Sequence, residues 1–228
     1  MRKIGIIGAM DLEIKILLDN MKLNNKENIS GFIYYSGQIS GKDVVVTSCS
    51  IGKVNAAACT QILIDRFNVN CIINTGIAGG LHSEVNICDV VISSNVTHHD
   101  VRKAQMKRWF PFKESFEGDN ELIEIAVNAC GTIKNKEWKH HVGRIVSGEC
   151  FVSDNKLKEN IIQDYSPHCV EMEGAAIGHV AHINGIPFVV IRCISDNADD
   201  QANMNYEIFE TIAANQSSNI VLNMIQML

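Results

Sequence analysis

No two of the eight cysteines stand three positions apart, so the chain has no Cys-x-x-Cys pair of the kind that grips zinc or exchanges thiols. Cys71 and Cys193 sit in apolar, strand-like runs, where cysteine acts as a small hydrophobe. Reduced, structural thiols are expected, as in a reducing compartment. Prolines number three, and no linker, low-complexity tract, repeat or break in composition divides the 228 residues, which implies one domain over residues 1–228. Basic residues are in deficit: 20 Lys and Arg against 26 Asp and Glu give a net charge of −6, which argues against general nucleic-acid binding. No apolar run approaches a membrane span. At the start of the chain, Met1-Arg2-Lys3 leads into Ile4 to Met10, an apolar run too short for a secretory leader and cut by Asp11. Together these absences predict a cytoplasmic protein with neither membrane nor nucleic acid among its partners.

What is present is an alternation of strand and helix patterns, with 46% apolar residues to build a large core. Lys3 to Gly8 reads as a buried strand, followed by an acidic helix start, Asp11 to Glu13, and apolar positions at Ile14, Leu17, Leu18 and Met21. Asn24 to Asn28 reads as a loop, and Phe32–Gln38 with Asp43–Thr47 as a hairpin turning at Ser40-Gly41-Lys42. Next come a helix from Val54 to Phe67, a short strand from Cys71 to Thr75, a tight glycine turn from Gly76 to Gly80, and a strand from Asp89 to Ser93. An irregular stretch from His98 to Asn120 precedes a helix (Glu121–Cys130), a strand (His141–Ser147) and a helix (Asn155–Gln163). The chain then returns through Val170-Glu171-Met172-Glu173, an apolar helix, and the buried strand Phe188–Ile191 to Ser195-Asp196. A mobile polar loop, Asn197 to Asn203, leads to a last helix from about Asn205 that places Phe209, Ile212, Ala213, Ile220 and Met224 on one face. The fold class is α/β.

Three carboxylates draw attention. Glu13 lies in the first turn after strand one, where an acid also suits the helix dipole, and the same holds for Glu173. Asp196 leaves the core at the carboxyl edge of the sheet, where ligands of open α/β folds bind, with Ser195 beside it to orient it. The Gly76–Gly80 segment lacks the Lys-Ser/Thr of a P-loop and the spacing of a dinucleotide fingerprint, so it serves close backbone approach to a ligand rather than a triphosphate site. His98-His99-Asp100 and the pair His179 and His182 are the metal-like groups, yet no third ligand can be named, so no metal site is assigned. The basic and aromatic run from Arg102 to Phe112 reads as a subunit contact or an anion-facing lid as readily as a solvated loop.

Taken in order, Ile4-Gly5-Ile6-Ile7-Gly8-Ala9-Met10 with Glu13, Asn74-Thr75-Gly76 before Ala78-Gly79-Gly80, Val146-Ser147-Gly148 before Phe151, Val170-Glu171-Met172-Glu173, Ile194-Ser195-Asp196 and Asn215-Gln216-Ser217-Ser218 resemble the 5′-methylthioadenosine/S-adenosylhomocysteine nucleosidases of the nucleoside phosphorylase superfamily. The resemblance implies a three-layer α/β/α sandwich around a mixed, partly barrel-like sheet, usually a homodimer. It implies hydrolysis of the bond between adenine and a 5′-modified ribose, without metal or other cofactor. In that reading Asp196, held by Ser195, protonates purine N7, and Glu13 takes a proton from the attacking water. Glu173 and Met172 hold the ribose hydroxyls. Phe151 stacks on adenine, the Val152 backbone reads its edge, Tyr206 covers the ribose, and Ala9, Ile51 and Ala78 line the floor.

Two departures from the family pattern stand out. Ile77 occupies a position where a small or hydroxyl residue is frequent, and the text after His98-His99-Asp100 lacks the usual loop that closes a 5′-alkylthio pocket. Arg102, Lys103, Lys107 and Arg108 suggest tolerance of a charged 5′ group. Alternatives on the same fold are an aminofutalosine-type nucleosidase, a phosphorylase and a nucleoside sensor. A phosphorylase needs a cation for phosphate, which neither the Gly8 nor the Gly76 segment supplies.

Overall fold

The computed structural model describes residues 3–228; Met1 and Arg2, which open the stretch weighed above as a leader, lie outside the described residues. The elements run β1 (Ile4–Gly8), α1 (Asp11–Asp19), β2 (Lys22–Ile29), β3 (Phe32–Ile39), β4 (Lys42–Ser48), α2 (Lys53–Phe67), β5 (Cys71–Gly80), β6 (Val90–His98), α3 (Lys103–Arg108) and β7 (Ser115–Glu117). They continue α4 (Asn120–Thr132), β8 (His140–Ser147), α5 (Asn155–Tyr165), β9 (Cys169–Glu171), α6 (Gly174–Ile183), β10 (Phe188–Asp196) and α7 (Ala202–Met227).

The strands form one mixed sheet, and part of it closes on itself. β5 pairs in parallel with β10, β10 antiparallel with β6, β6 in parallel with β8, β8 in parallel with β9, and β9 antiparallel with β5. That ring is the barrel. From β5 the sheet continues outward through β1, β4, β3 and β2.

Strand sequence explains the layering. Side chains alternate between faces, so neighbours in a strand belong to different cores. Ile72 and Val190 join a cluster with Ala56, Leu63, Ala175 and Ile177 of α2 and α6. Ile73, Val189 and Ile191 join another with Ile14, Leu17, Leu122, Val221 and Met224 of α1, α4 and α7. The result is the expected α/β/α sandwich around a mixed, partly barrel-like sheet.

Four local expectations change. The asparagine-rich segment is not a loop but β2, an exposed edge strand built on β3 through the Ser30-Gly31 turn, whose positive φ values of 54° and 91° suit a two-residue hairpin. Cross-strand pairing overrides its polar composition, and Lys22, Lys26 and Glu27 guard the edge. Gly76 to Gly80 is not a turn but the second half of β5, buried and paired to β10 and β9. The stretch from 98 to 120 contains α3 and β7, the latter paired to β6. After Asp196, α7 already begins at Ala202; it buries Ala213, Ala214, Ser217, Ser218, Ile220 and Met224 but leaves Ile212 53% exposed, because its buried stripe lies one residue round the helix.

Two serines fasten α7, Ser217 to the sheet and Ser218 to α1. Ser217 Oγ lies 2.7 Å from Thr75 Oγ1, accepts from the Gly76 amide at 3.1 Å, and lies 3.2 Å from the Ile191 carbonyl. Ser218 donates to the Glu13 carbonyl. Ser217→Ala strands the buried Gly76 amide, which costs about 1–3 kcal/mol. Thermal unfolding should show a Tm lower by about 2–10 °C.

Candidate active site

A cavity of about 360 Å³ opens where β1, β5 and β10 end and α1 and α6 begin. All three predicted carboxylates line it: Glu13, Glu173 and Asp196, each nearly inaccessible to solvent. Ala9, Ala78, Met172, Ser195, Phe151 and Tyr206 line it as well.

Glu13 faces back from the first turn of α1 over the end of β1. Its Oε2 accepts from the Ala9 and Met10 amides at 2.6 and 2.9 Å, and its Oε1 from the Ile77 amide of β5 at 3.0 Å. Burial pushes its pKa above the ordinary value, against the pull of Arg192 and the three amides. Glu173 ends the turn between β9 and α6. Its Oε1 accepts from the Gly52 amide at 2.9 Å, and burial lifts its pKa to about 7 despite Arg192.

Asp196 is held differently. Ser195 Oγ donates to its Oδ2 at 2.8 Å and the Ala198 amide to its Oδ1 at 2.8 Å. Burial again raises its pKa, with these two donors opposing. An aspartate of this kind is suited to hold and give a proton.

The bare strand beneath is a steric requirement. A Cβ at Gly76 would collide with Arg192 Nη1 and Glu13 Oε1, and one at Gly79 would come within 2.9 Å of Asp196 Oδ1. The glycines of β5 therefore permit the carboxylates to cross it.

Sequence reasoning missed the group that ties the site together. Arg192, buried in the middle of β10, donates from Nη2 to Asn74 Oδ1 at 2.7 Å and to Glu171 Oε2, and from Nη1 to the Ile77 carbonyl at 3.2 Å. Glu173 Oε2 stands 3.4 Å from Nη2, and Glu13 Oε1 stands 4.0 Å from Nη1. Glu171 also takes the Glu173 and Gly174 amides at 3.0 and 2.7 Å and the Ser147 hydroxyl. The sequence did hold a signal, since Arg192 interrupts an otherwise apolar run from Phe188 to Ile194.

Other expectations are corrected in position. Ile51 belongs to the rim, 52% exposed, not to the floor. Val152 lines a small side cavity of about 30 Å³ shared with Phe151, Met172 and Asp196. Tyr206 stands on α7, edge-on to Phe151 at 5.6 Å. Arg102, Lys103, Lys107 and Arg108 do not line the cavity: Lys103 sits over Tyr165 and bonds the Asp164 carbonyl, and Lys107 pairs with Glu114. His98 and His179 pack with Phe116, the last two stacked at 4.4 Å, and among the described residues no group of three candidate ligands is placed to hold a metal ion. Among the described residues no cysteine is in a disulfide. Among the described residues no helix is long and apolar enough to cross a membrane.

Comparison with known proteins places this geometry. The sequence model of the phosphorylase superfamily matches residues 3–226. The 5′-methylthioadenosine/S-adenosylhomocysteine nucleosidase of Halalkalibacterium halodurans is 40% identical over 227 residues, 97% of each chain. The nucleosidase of that name from Neisseria meningitidis, solved with methylthio-immucillin-A, superposes with a TM-score of 0.94 at 34% identity over the full length of both chains. Futalosine hydrolase of Helicobacter pylori superposes with a TM-score of 0.91 at 30% identity, covering 100% of this chain and 98% of the other. With an ordered match over nearly its whole length, the chain belongs to the phosphorylase superfamily and, within it, to the 5′-methylthioadenosine/S-adenosylhomocysteine nucleosidase family.

Proposed function

We propose that the chain, acting as one nucleosidase domain, hydrolyses the N-glycosidic bond of 5′-methylthioadenosine and S-adenosylhomocysteine, releasing adenine and the 5′-thio-ribose. One observation carries the assignment of roles. Glu13 and Asp196 enter one cavity from different elements, and their positions along β5, at the Ile77 amide that Glu13 accepts from and at Gly79, which stands in register with Asp196, lie two residues apart. Two strand residues span about 7 Å. That spacing leaves room for a sugar and a water between an acid and a base, as in inverting glycosidases.

Breaking the bond puts positive charge on the ribose and negative charge on the purine. Asp196 donates a proton to N7 and so neutralises the leaving base. Glu13 accepts a proton from the water. Glu173, with Met172, binds the ribose hydroxyls and stabilises the developing cation electrostatically. Phe151 and Tyr206 supply aromatic walls, Ala9 and Ala78 the floor, Ile51 the rim, and the Val152 backbone the contact to the edge of adenine. The chemistry calls for no cofactor.

Phosphorolysis fits less well. Among the described residues the one cation lining the cavity, Arg192, is already committed to Glu171, Asn74 and the Ile77 carbonyl, with Glu13 and Glu173 alongside. A second copy of the chain is the proposed partner, because Ile51 and Val54 at the start of α2, and Trp109, Phe110 and Phe112 after α3, expose large apolar surfaces. Eight cysteines with no disulfide among the described residues support a cytoplasmic location. The likeness to futalosine hydrolase keeps one alternative open, the same bond cleaved beneath a different 5′ group.

Adenine release from methylthioadenosine, S-adenosylhomocysteine and aminofutalosine, with and without phosphate, tests the proposal. Phosphate-independent release from the first two is expected; release confined to aminofutalosine would favour the alternative, and strict phosphate dependence would overturn the role of Glu13. Asp196→Asn should cut kcat by about 10²–10⁴-fold.

The pH behaviour follows from the signs. Asp196 must be protonated, so turnover falls as pH rises through its raised pKa. Glu13 must be ionised, so turnover falls as pH drops through its own. A bell-shaped profile is expected, and Asp196→Asn should remove its alkaline limb. For stability, a raised pKa in the folded state makes Asp196's contribution fully present below the unfolded value, near 3.8, and lost as pH rises through the folded value. Asp196→Asn should therefore match or exceed the parent Tm at pH 8, with the advantage vanishing near pH 3.

A further inference from the structure

Glu171 has no part in the bond-breaking roles above, yet it makes the closest contact to Arg192 and lies fully within the network. Its oxygens do two jobs at once. Oε2 binds the guanidinium and the amides of Glu173 and Gly174; Oε1 takes the hydroxyl of Ser147, whose oxygen in turn accepts from the Ala175 amide at 2.7 Å. It therefore caps α6, holds the turn that carries Met172 and Glu173, and answers the charge of Arg192.

The order of distances matters. Arg192 is in contact with Glu171, 3.4 Å from Glu173 and 4.0 Å from Glu13. An unanswered guanidinium that close to both acids would hold them ionised and would make Glu13 a poor base. We propose that Glu171 is a positioning residue for the hydrolysis: by neutralising Arg192 it lets the guanidinium fix the places of Glu13 and Glu173 without fixing their charge. The inference rests on the nucleosidase reading and deepens it.

The other groups facing these acids are few. Arg192 meets Glu13 from α1, Asn74 and the Ile77 carbonyl from β5, Glu171 and Cys169 from β9, and Glu173 before α6. Glu173 also faces the Gly52 amide, and Cys49 and Tyr206 feel Glu13. Burial holds the Cys49 and Cys169 thiols and the Tyr206 hydroxyl in their neutral forms. Among the described residues, Arg192 is thus the cation that faces both acids, Glu171 is the carboxylate in contact with it, and Glu13 and Glu173 also face each other.

The test is the pH profile of single-turnover adenine release by the full chain, for the wild type, Glu171→Gln, and the pair Glu171→Gln with Arg192→Met. Glu171→Gln exposes both acids to the free guanidinium, so the acidic limb should move down by about one to two pH units, with a plateau about tenfold lower or less. The pair removes both charges, so its limb should stay within about half a unit of the wild type. A purely structural role would lower the rate and Tm and leave the limb in place.

An unmoved limb in folded Glu171→Gln overturns the proposal. So does a pair variant whose limb rises by more than about one unit, because Arg192 would then have been acting unscreened. Should Glu171→Gln alone fail to fold, the pair decides, since it leaves no buried guanidinium without its closest carboxylate. A wild type that releases no adenine defeats the nucleosidase reading itself; a wild type that releases it, with variants that leave the limb in place, defeats only the role of Glu171.

Discussion

A buried guanidinium is the constraint around which this molecule is arranged. Arg192 is 1% exposed in the middle of a strand. An unpaired charge there would cost several kcal/mol even after relaxation. Folding must therefore bring it partners, and these come from distant parts of the chain: Glu13 beside β1, Asn74 on β5, Glu171 on β9 and Glu173 before α6. Closing the barrel and assembling the site are the same event, because β10 pairs with β5 while Arg192 meets residues on either side of it.

This network also separates two kinds of carboxylate around one cavity. Glu13 and Glu173 live beside a cation, with backbone amides aimed at their oxygens. Asp196 has a hydroxyl and one amide within reach. Burial raises all three, but a proton on Asp196 meets no such guanidinium contact, and the environments divide the work of acid and base as they do in other paired-carboxylate sites. Glycine at 76 and 79 is what allows the two environments to share a strand.

The three acids were legible because each stands at a chain position with a physical reading: a helix start after a strand, a turn into a helix, and the exit of a buried strand. The buried strands β1 and β10 were legible for the same reason, since unbroken apolar runs cannot face water. The polar strand β2 was not, because its pairing with β3 rather than its composition decides its state. Nor was the strand character of Gly76 to Gly80. Glycine repeats suggest a turn until neighbours that crowd the Cα positions are known. The exposed Ile212 shows the same limit, as a shift of one residue round α7 changes which side chains are covered.

By itself the sequence determined the α/β class and singled out Glu13, Glu173 and Asp196, because local pattern and residue chemistry suffice for these; the proposed roles of acid, base and ribose-binding group, and ten of the seventeen residues that line the cavity, came with the ordered resemblance to a family. Only the tertiary structure decided that Arg192 and Glu171 join them, that the basic run after Arg102 stands away from the cavity, and that Ile51 forms a rim. Those outcomes depend on distances between segments far apart in the chain, and a pattern of neighbours in sequence carries no such distances.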